Sequence, residues 1–284
     1  MRIVEYKCKS EYSNVKYVLK NILRLSTAFI TKLKQSSGIL LNDSAVTVLA
    51  PVKSGDTIKL VVPYFDSPDI ESSDIPIDIL YEDDDLICIN KPCGMPTHPS
   101  VGHHGNTLMN AALFYLRKTK DEFHVVTRLD RYTSGIVLAA KNQFSASIMC
   151  TAHYNSSISK KYVGVCRGKL PDGCGTIEQP IARCIDSIIK RCVSEDGKYA
   201  KTTYKVLEYI DNKSLVEFTL HTGRTHQIRV HASFIGNPLL NDFLYDADAI
   251  DSRIHKLHCG YIEFNHPYTG ERISVNAPIP NDFI

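Results

Sequence analysis

The sequence predicts an α+β protein whose main domain is built on a mixed, largely antiparallel sheet, with a small α+β unit in front of it. Two observations support this fold class. Short apolar runs typical of strands recur through most of the 284 residues, and helical segments do not alternate with them as in a βαβ array. The charge of the chain also changes abruptly, which separates a basic first part from a larger second part.

The charge is distributed in three parts, although the formal net charge of the whole chain is only +2. Residues 1–63 hold ten Lys and Arg against four Asp and Glu, whereas residues 64–85 hold nine acidic residues and no basic one. A small basic unit of this kind favours the binding of a polyanion such as RNA or DNA. We therefore expect domains at 1–63 and 81–284, joined by an acidic linker at 64–80.

The spacing of apolar residues predicts the elements of both parts. In the first part we expect helices at 15–25 and 27–34 and strands at 39–41, 45–48 and 57–62. In the second part we expect strands at 77–82, 86–90, 136–140, 161–167, 200–209, 214–220 and 257–263. Helices are expected there at 107–118, 143–155 and 225–235. Most neighbouring strands follow each other without a helix, which favours antiparallel pairing.

Several classes of protein and site are not expected from the composition. A hydrophobic share of 43% is ordinary for a globular protein, and no run approaches the 18 apolar residues of a membrane-spanning helix. Residues 1–12 lack the apolar stretch of a signal peptide, so we expect a cytoplasmic protein with nine reduced cysteines. The cysteine and histidine spacings fit no metal site.

The first cluster of chemistry-bearing residues is the segment 127–135, which reads Thr-Arg-Leu-Asp-Arg-Tyr-Thr-Ser-Gly. It places one carboxylate, Asp130, between Arg128 and Arg131 in a turn before an apolar strand. Neighbouring cations favour an ionised carboxylate, which in a concave loop can act as a nucleophile or a base. A surface turn with ion pairs is the alternative interpretation.

The second cluster, residues 221–231, joins a predicted strand to a predicted helix that Thr225 is expected to cap. Its three histidines are five residues apart, whereas helical metal ligands are four apart, so we expect no metal there. Arg224 and Arg229 lie at this junction, where the helix N-terminus adds partial positive charge. The pattern favours anion binding.

The third cluster is a basic strand in which Tyr162 follows Lys160 and Lys161. An aromatic ring in such a strand can stack on a nucleic-acid base while the lysines contact phosphates. Packing of the ring in the protein core is the alternative interpretation.

Two known families resemble parts of this sequence. Residues 33–60 resemble the alpha-L RNA-binding motif, which implies that Lys32 and Lys34, with Arg24, contact RNA phosphates; a unit that only packs on its neighbour is the alternative. The three clusters in order, Arg-Leu-Asp-x-x-Thr-Ser-Gly, Lys-x-Tyr and Gly-Arg-Thr-His-Gln-Ile-Arg-x-His, resemble the signature of RluA-type pseudouridine synthases. The resemblance runs from about residue 80 to the C-terminus. It departs at Thr127, where the family often has His, and at Tyr132, where it usually has an acidic residue.

The second resemblance implies an isomerase that converts uridines in structured RNA to pseudouridine, without cofactor or metal. The RNA would be large-subunit ribosomal RNA or transfer RNA, and the enzyme a monomer. Asp130 would be the catalytic carboxylate, Arg229 would keep it charged, and Tyr162 would stack on the uracil and help to remove its carbon-5 proton. Substrate contacts would come from a further set of residues, namely Arg128, Arg131, Thr133, Ser134, Arg224, His226, Gln227, Lys32 and Lys34.

Two other functions fit parts of the sequence. One is a non-catalytic RNA-binding protein on the same fold, although the presence of both Asp130 and Arg229 argues against it. The other is a hydrolase, but no Gly-x-Ser-x-Gly motif occurs and only one carboxylate lies in the basic loop. Glycosidases usually need two.

Overall fold

A computed structural model describes residues 2–63, 70–119, 121–155, 157–170, 173–249, 254–281 and 283. Within these ranges the chain forms a four-stranded sheet near the N-terminus and a ten-stranded sheet that holds most of the core. The predicted α+β class, with a large and mostly antiparallel sheet, is confirmed. No helix within the described ranges is long and apolar enough to cross a membrane.

The N-terminal sheet is antiparallel and has the strand order β1-β4-β2-β3. Its strands are β1 (Arg2–Lys7), β2 (Ile39–Leu41), β3 (Ser44–Ala45) and β4 (Thr57–Val62). Two helices accompany them, α1 (Val15–Tyr17), which continues as a π-helical turn at Val18–Ile22, and α2 (Thr27–Gln35). The helix predicted at 15–25 ends early because Arg24 has a φ of 55°, which no helix tolerates. The strand predicted at 45–48 shrinks to β3, because a turn joins Thr47 to Ala50.

The large sheet has the order β10-β13-β14-β9-β15-β8-β6-β5, with β7 beside β8 and β16 beside β15. Its first strands are β5 (Asp78–Glu82), β6 (Leu86–Lys91), β7 (His124–Val125), β8 (Ser134–Ala140), β9 (Ser159–Arg167) and β10 (Cys174–Glu178). A separate hairpin follows, β11 (Ile181–Arg183) and β12 (Arg191–Val193). The remaining strands are β13 (Lys201–Ile210), β14 (Lys213–Leu220), β15 (Leu257–Asn265) and β16 (Arg272–Asn276). Among the described strands, β8 and β15 form the one parallel pair.

Three helices belong to this part of the chain: α3 (Leu108–Leu116), α4 (Gln143–Tyr154) and α5 (Gln227–Phe234). Thr107 and Asn142 cap α3 and α4 with their side chains. The prediction that Thr225 caps α5 is wrong, because the residue before the helix is His226 with a left-handed φ of 58° and no side-chain cap.

The N-terminal unit packs against α4 of the larger unit. Phe144 of α4 is buried in the core of the N-terminal unit, and Ser26 N donates to Ser147 Oγ at 2.7 Å. Arg2 pairs with Asp85 at 2.8 Å at another point of the interface. The packing that was the alternative to RNA binding therefore exists, and RNA binding by this unit stays a prediction.

The connector between the two units was predicted as an acidic linker at 64–80. Residues 64–69 of it lie outside the described residues. Its later part is attached to the larger unit, because Asn110 Nδ2 donates to Glu71 O at 2.6 Å and β5 begins at Asp78. The domain limits themselves stay a prediction.

Candidate active site

A cavity of about 380 Å³ opens where the loop before β8, strand β9 and the start of α5 meet. Its size is in the usual range for a small-ligand site. All three sequence clusters contribute to its wall, with Asp130 from the first, Arg229 from the second and Tyr162 from the third. The fold thus brings Asp130 into contact with Arg229, 99 positions away in the chain.

Asp130 contacts a guanidinium that a second carboxylate holds in place. Arg229 Nη1 donates to Asp130 Oδ2 at 3.2 Å, while its Nε and Nη2 donate to the two oxygens of Asp242 at 2.7 and 2.8 Å. Arg229 and Asp242 are both buried, whereas Asp130 is half-buried at the cavity. A bidentate pair of this kind fixes the guanidinium in one orientation. Asp242 therefore orients the guanidinium of Arg229 so that its Nη1 points toward Asp130.

The charge of Arg229 is secured by its two acidic partners. Burial alone would lower the pKa of its guanidinium, but the hydrogen bonds and charges of Asp242 and Asp130 outweigh burial and raise that pKa. The guanidinium therefore stays charged where it contacts the Asp130 carboxylate.

His226 also lies near Asp130, beside the oxygen that Arg229 contacts. Its Nε2 lies 3.7 Å from Asp130 Oδ2, and its Nδ1 forms a 2.9 Å hydrogen bond with the hydroxyl of Tyr245. Burial lowers the pKa of His226 below its ordinary value, although the charge of Asp130 opposes this shift. The imidazole is therefore neutral at neutral pH, and Arg229 is the cation that Asp130 contacts.

The loop that carries Asp130 is fixed by buried contacts to its backbone. Lys91 Nζ donates to the carbonyls of Pro92, Met95 and Arg131 at 2.9, 2.9 and 3.1 Å. Gly135 has a φ of 105°, and a Cβ built there would lie 2.3 Å from the carbonyl oxygen of Cys259. Only glycine allows this approach of β8 to β15. The glycine of the Thr-Ser-Gly segment is thus required by the close packing of β8 against β15.

Two hydroxyl residues of the same loop hydrogen-bond with histidines. Thr133 Oγ1 lies 3.0 Å from His255 Nε2, and Ser134 Oγ lies 2.9 Å from His258 Nδ1. Thr133 still lines the cavity, whereas Ser134 does not. The side chain of Ser134 therefore supports the loop from behind.

Tyr162 forms part of the cavity wall on β9 and is almost completely buried. Burial raises the pKa of its phenol well above the usual value, and a hydrogen bond with Cys259 adds to this shift. The phenol is thus protonated at neutral pH. The ring packs in the core, which was the alternative interpretation, and it also lines the cavity; stacking on a base stays a prediction.

Three arginines surround the mouth of the cavity: Arg128, Arg131 and Arg224. All three are exposed; Arg131 Nε donates to Gly94 O at 3.0 Å and Arg224 Nε to Tyr199 O at 2.9 Å. Such a group of exposed cations suits the phosphates of a nucleic acid.

Three predicted substrate contacts remain: Gln227, which lies at the cavity, and Lys32 and Lys34, which lie away from it. Gln227 lines the cavity, but its side chain is buried and bonds to Lys201 O, Thr202 and Arg224 N. Lys32 and Lys34 are exposed on α2 and do not line the cavity; Lys32 Nζ donates to Gln143 Oε1 at 3.4 Å. The structure thus assigns these lysines to a separate surface.

Sequence reasoning missed several residues of the site: Asp242, Tyr245, His98 and His153. Asp242 lies in the apolar segment 239–245, where no motif marks it. Lys160 was noted, but the sequence did not show that it lies inside the cavity while Lys161 pairs with Glu217 at 3.3 Å. The alternation of side chains along a strand could have separated the two lysines.

Comparison with known proteins shows the family of this chain. Residues 85–234 match the family described as RNA pseudouridylate synthase. The RNA pseudouridine synthase YjbO of Bacillus subtilis is 38% identical over 92% of this chain and 93% of its own length. The chain belongs to the RNA pseudouridylate synthase family. It is an RNA pseudouridine synthase of the RluA type, an enzyme that isomerises uridine in RNA.

Two further relatives agree with this assignment. The ribosomal large subunit pseudouridine synthase D of Vibrio cholerae is 33% identical over 82% of this chain and 76% of its own. The solved structure of human RNA pseudouridylate synthase domain containing 1 has a TM-score of 0.62 and 25% identity, and covers 75% of this chain and 86% of its own. The catalytic fold predicted from the three clusters is confirmed.

Proposed function

We propose that this pseudouridine synthase modifies specific uridines in structured RNA of the large ribosomal subunit and uses Asp130 as its catalytic carboxylate. The observation that carries the role of Asp130 is its contact with Arg229 at the wall of the cavity. The class of RNA is supported by similarity to synthases that are named for the large subunit. Transfer RNA is the second candidate, because the family resemblance includes it.

The reaction needs a negative group next to the ribose, and Asp130 meets this need. The carboxylate either forms a bond to the anomeric carbon, C1′, or removes a proton from C2′. In both routes the bond from C1′ to N1 of uracil breaks and the base turns. C1′ then bonds to carbon 5 while its bond to Asp130 breaks, or while the proton returns from Asp130 to C2′. Carbon 5 finally loses its proton and N1 gains one, which completes the isomerisation. Arg229 orients the carboxylate and keeps its charge available.

The substrate uridine has to leave its base stack to reach Asp130. Tyr162 then stacks on the uracil inside the cavity. Arg128, Arg131 and Arg224 bind phosphates at the mouth, His226 borders the reacting group, and Thr133, Ser134 and Gln227 hold the loop and helix in shape. Lys32 and Lys34 bind RNA farther from the reacting base. The enzyme acts in the cytoplasm as a monomer.

The hydrolase alternative has little support in the site. A hydrolase of this kind would need a second catalytic carboxylate, and the candidate is Asp242. Both oxygens of Asp242 accept hydrogen bonds from Arg229, and the residue does not line the cavity. Two-carboxylate glycosidases need both groups facing the sugar. Free uracil among the products would favour hydrolysis, and its absence together with pseudouridine would exclude it for the substrate tested.

Pseudouridine mapping tests the proposed RNA class. Total RNA from cells with and without the gene is mapped, and the purified enzyme is then given transcripts of the affected regions that carry tritium on carbon 5 of uridine. We expect loss of one or more sites in large-subunit ribosomal RNA and tritium release from the matching transcript. Loss of sites in transfer RNA alone would support the second candidate. An unchanged map and no tritium release would contradict the proposal.

A further inference from the structure

Lys160 is a buried lysine in the wall of the active-site cavity, on strand β9. The residue is 8% exposed. Among the described residues, no carboxylate and no hydrogen-bond acceptor is bonded to its ammonium. Its neighbour Lys161 lies on the opposite face of the strand and pairs with Glu217 at 3.3 Å. One of two adjacent lysines thus has a protein counter-ion, and the one inside the cavity has none.

The surroundings of Lys160 are poor in negative charge. The thiol of Cys259 interacts electrostatically with the ammonium of Lys160, and the charge of Lys160 in turn acts on the imidazole of His153. Burial, together with the charges of Lys160 and Arg128, lowers the pKa of His153 to about 4, so this histidine is neutral. Burial also lowers the pKa of Lys160. A buried cation without a partner is costly to the fold, which indicates that its partner arrives with the substrate.

The position of Lys160 indicates which part of the substrate it meets. Residues two apart on a strand project to the same face, so Lys160 and Tyr162 line the cavity side by side. Tyr162 is the residue against which the uracil stacks in the proposed function. The cations suited to phosphate, Arg128, Arg131 and Arg224, are exposed at the mouth. Lys160 therefore meets the base.

The uracil becomes negative during the reaction. When the bond from C1′ to N1 breaks, its electron pair stays on N1, and the departing uracil is an anion whose charge spreads to O2 and O4. This holds whether Asp130 bonds to C1′ or takes the C2′ proton. When C1′ then bonds to carbon 5, an electron pair of the uracil anion forms the new bond. The negative charge returns to Asp130, which leaves C1′ as a carboxylate or gives its proton back to C2′.

We propose that Lys160 is a catalytic residue whose ammonium binds a carbonyl oxygen of the departing uracil and stabilises its negative charge. The inference rests on the proposed function, because it needs Tyr162 to hold the base. A preformed charge in a cavity that excludes water stabilises charge that develops in the transition state more than it stabilises the neutral substrate. Lys160 therefore acts on the rate of bond breaking more than on RNA affinity.

Lys160→Met tests this role, because methionine keeps most of the side-chain volume and removes the charge. Lys161→Met is the matched control, one residue along the same strand. Under single turnover with excess enzyme, we expect Lys160→Met to form pseudouridine about 100-fold more slowly or worse, with RNA affinity unchanged within about threefold. Lys161→Met should stay within about threefold of wild type in rate, because its pair with Glu217 is exposed.

Lys160→Arg keeps the charge, so it should recover part of the rate. It also tests the need for a charge at this position if Lys160→Met does not fold.

A change of leaving group separates this role from a structural one. RNA that carries 5-fluorouridine at the target releases a more stable base anion, so the loss in Lys160→Met should shrink at least about tenfold on that substrate. Carbon 5 of this base has no proton to lose, so the rate is measured there as consumption of the target 5-fluorouridine and not as pseudouridine formed. An equal loss on both substrates, or a loss of RNA affinity with a normal rate, would overturn the inference; the latter result would instead assign Lys160 to a phosphate. A wild-type enzyme that forms no pseudouridine at all would contradict the proposed function and not the role of Lys160.

Discussion

Arg229 Nη1 donates to Asp130 Oδ2 at 3.2 Å, across 99 positions of the sequence. The two other bonded nitrogens of the guanidinium are occupied by Asp242, which is fully buried. The proposed catalytic carboxylate therefore meets a charge whose direction is set by a third residue that never reaches the cavity wall. Stability and activity are coupled at Arg229, and paired substitutions can separate them.

We expect Arg229→Met to lose both stability and activity. The substitution leaves Asp242 buried and unpaired, which should lower the free energy of unfolding by about 3–5 kcal/mol. The double variant Arg229→Met with Asp242→Leu removes both buried charges, so it should recover much of that stability. It should remain inactive, because Asp130 still lacks its partner.

Urea unfolding and single-turnover pseudouridine formation measure these two effects separately. Arg224→Ala is the control, because its side chain bonds only to a backbone carbonyl at the mouth. It should weaken RNA binding and leave the rate at saturating enzyme nearly unchanged. Activity in the double variant would show that Asp130 does not need a cationic partner.

Tyr162→Phe is expected to keep RNA affinity and to retain activity within about tenfold of wild type. The sequence suggested that Tyr162 helps to remove the carbon-5 proton, but burial and the hydrogen bond with Cys259 raise the pKa of its phenol. A protonated phenol is a poor base, so the ring matters more than the hydroxyl. Tyr162→Ala should lose about 1–3 kcal/mol of binding, as expected for a stacked base. If the rate of Tyr162→Phe fell more than about 100-fold at unchanged affinity, the hydroxyl would have a proton-transfer role.

Asp85 should make the free energy of unfolding depend on pH in the acidic range. Burial alone raises its pKa, but hydrogen bonds from Ser145 and Asn142 and the charge of Arg2 outweigh burial and lower the pKa. A carboxylate whose pKa is lowered by folding stabilises the fold above its unfolded pKa of about 3.9, and this contribution is lost as the pH falls through the lower, folded value.

Urea unfolding of wild type and Asp85→Asn over a range of pH measures this effect. We expect wild type to be more stable than the variant at pH 7 and the difference to shrink below about pH 4. A difference that stays constant from neutral to acidic pH would show that the charge of Asp85 does not stabilise its contacts with Arg2, Asn142 and Ser145.

Lys32→Ala with Lys34→Ala tests the RNA contact of the N-terminal unit. Each phosphate contact that is lost should flatten the slope of log affinity against log salt by about 0.9 on duplex RNA or about 0.7 on a single strand. Lys9→Ala with Lys53→Ala is the control, because these lysines are also exposed in the same unit but lie outside α2. Equal slopes for both double variants would exclude α2 as a specific RNA contact. Deletion of the whole unit is a poorer test, because it would uncover Phe144.

The sequence predicted the class of the fold, and its three clusters gave residues that the fold gathers around one cavity, because both have strong local signals. Apolar runs predicted the central strands β6, β8, β9, β14 and β15, which are mostly buried. Strand β10 was missed, because most of its side chains are exposed and leave no apolar run. The length of α1 depended on the backbone at Arg24, which composition does not determine.

The partners of the reacting residues could not be predicted in the same way. Asp242 lies 13 residues beyond Arg229 and is one of four aspartates in segment 242–251, so its sequence does not single it out; only the fold brings it to the guanidinium. The docking of Phe144 in the N-terminal core depends on contacts between residues more than 100 positions apart. Such long-range packing leaves no periodic mark in the sequence.

The central claim is that Asp130 is the catalytic carboxylate, and Asp130→Asn tests it most directly. Asparagine keeps the shape and can still accept a hydrogen bond from Arg229, but it cannot be an anionic nucleophile or base. The variant should unfold at the same temperature as wild type and bind the same RNA with similar affinity. The decisive measurement is pseudouridine formation under single turnover with excess enzyme. We predict no detectable product; a rate within about tenfold of wild type would contradict the account, because acid–base catalysis alone contributes about 10²–10⁴-fold.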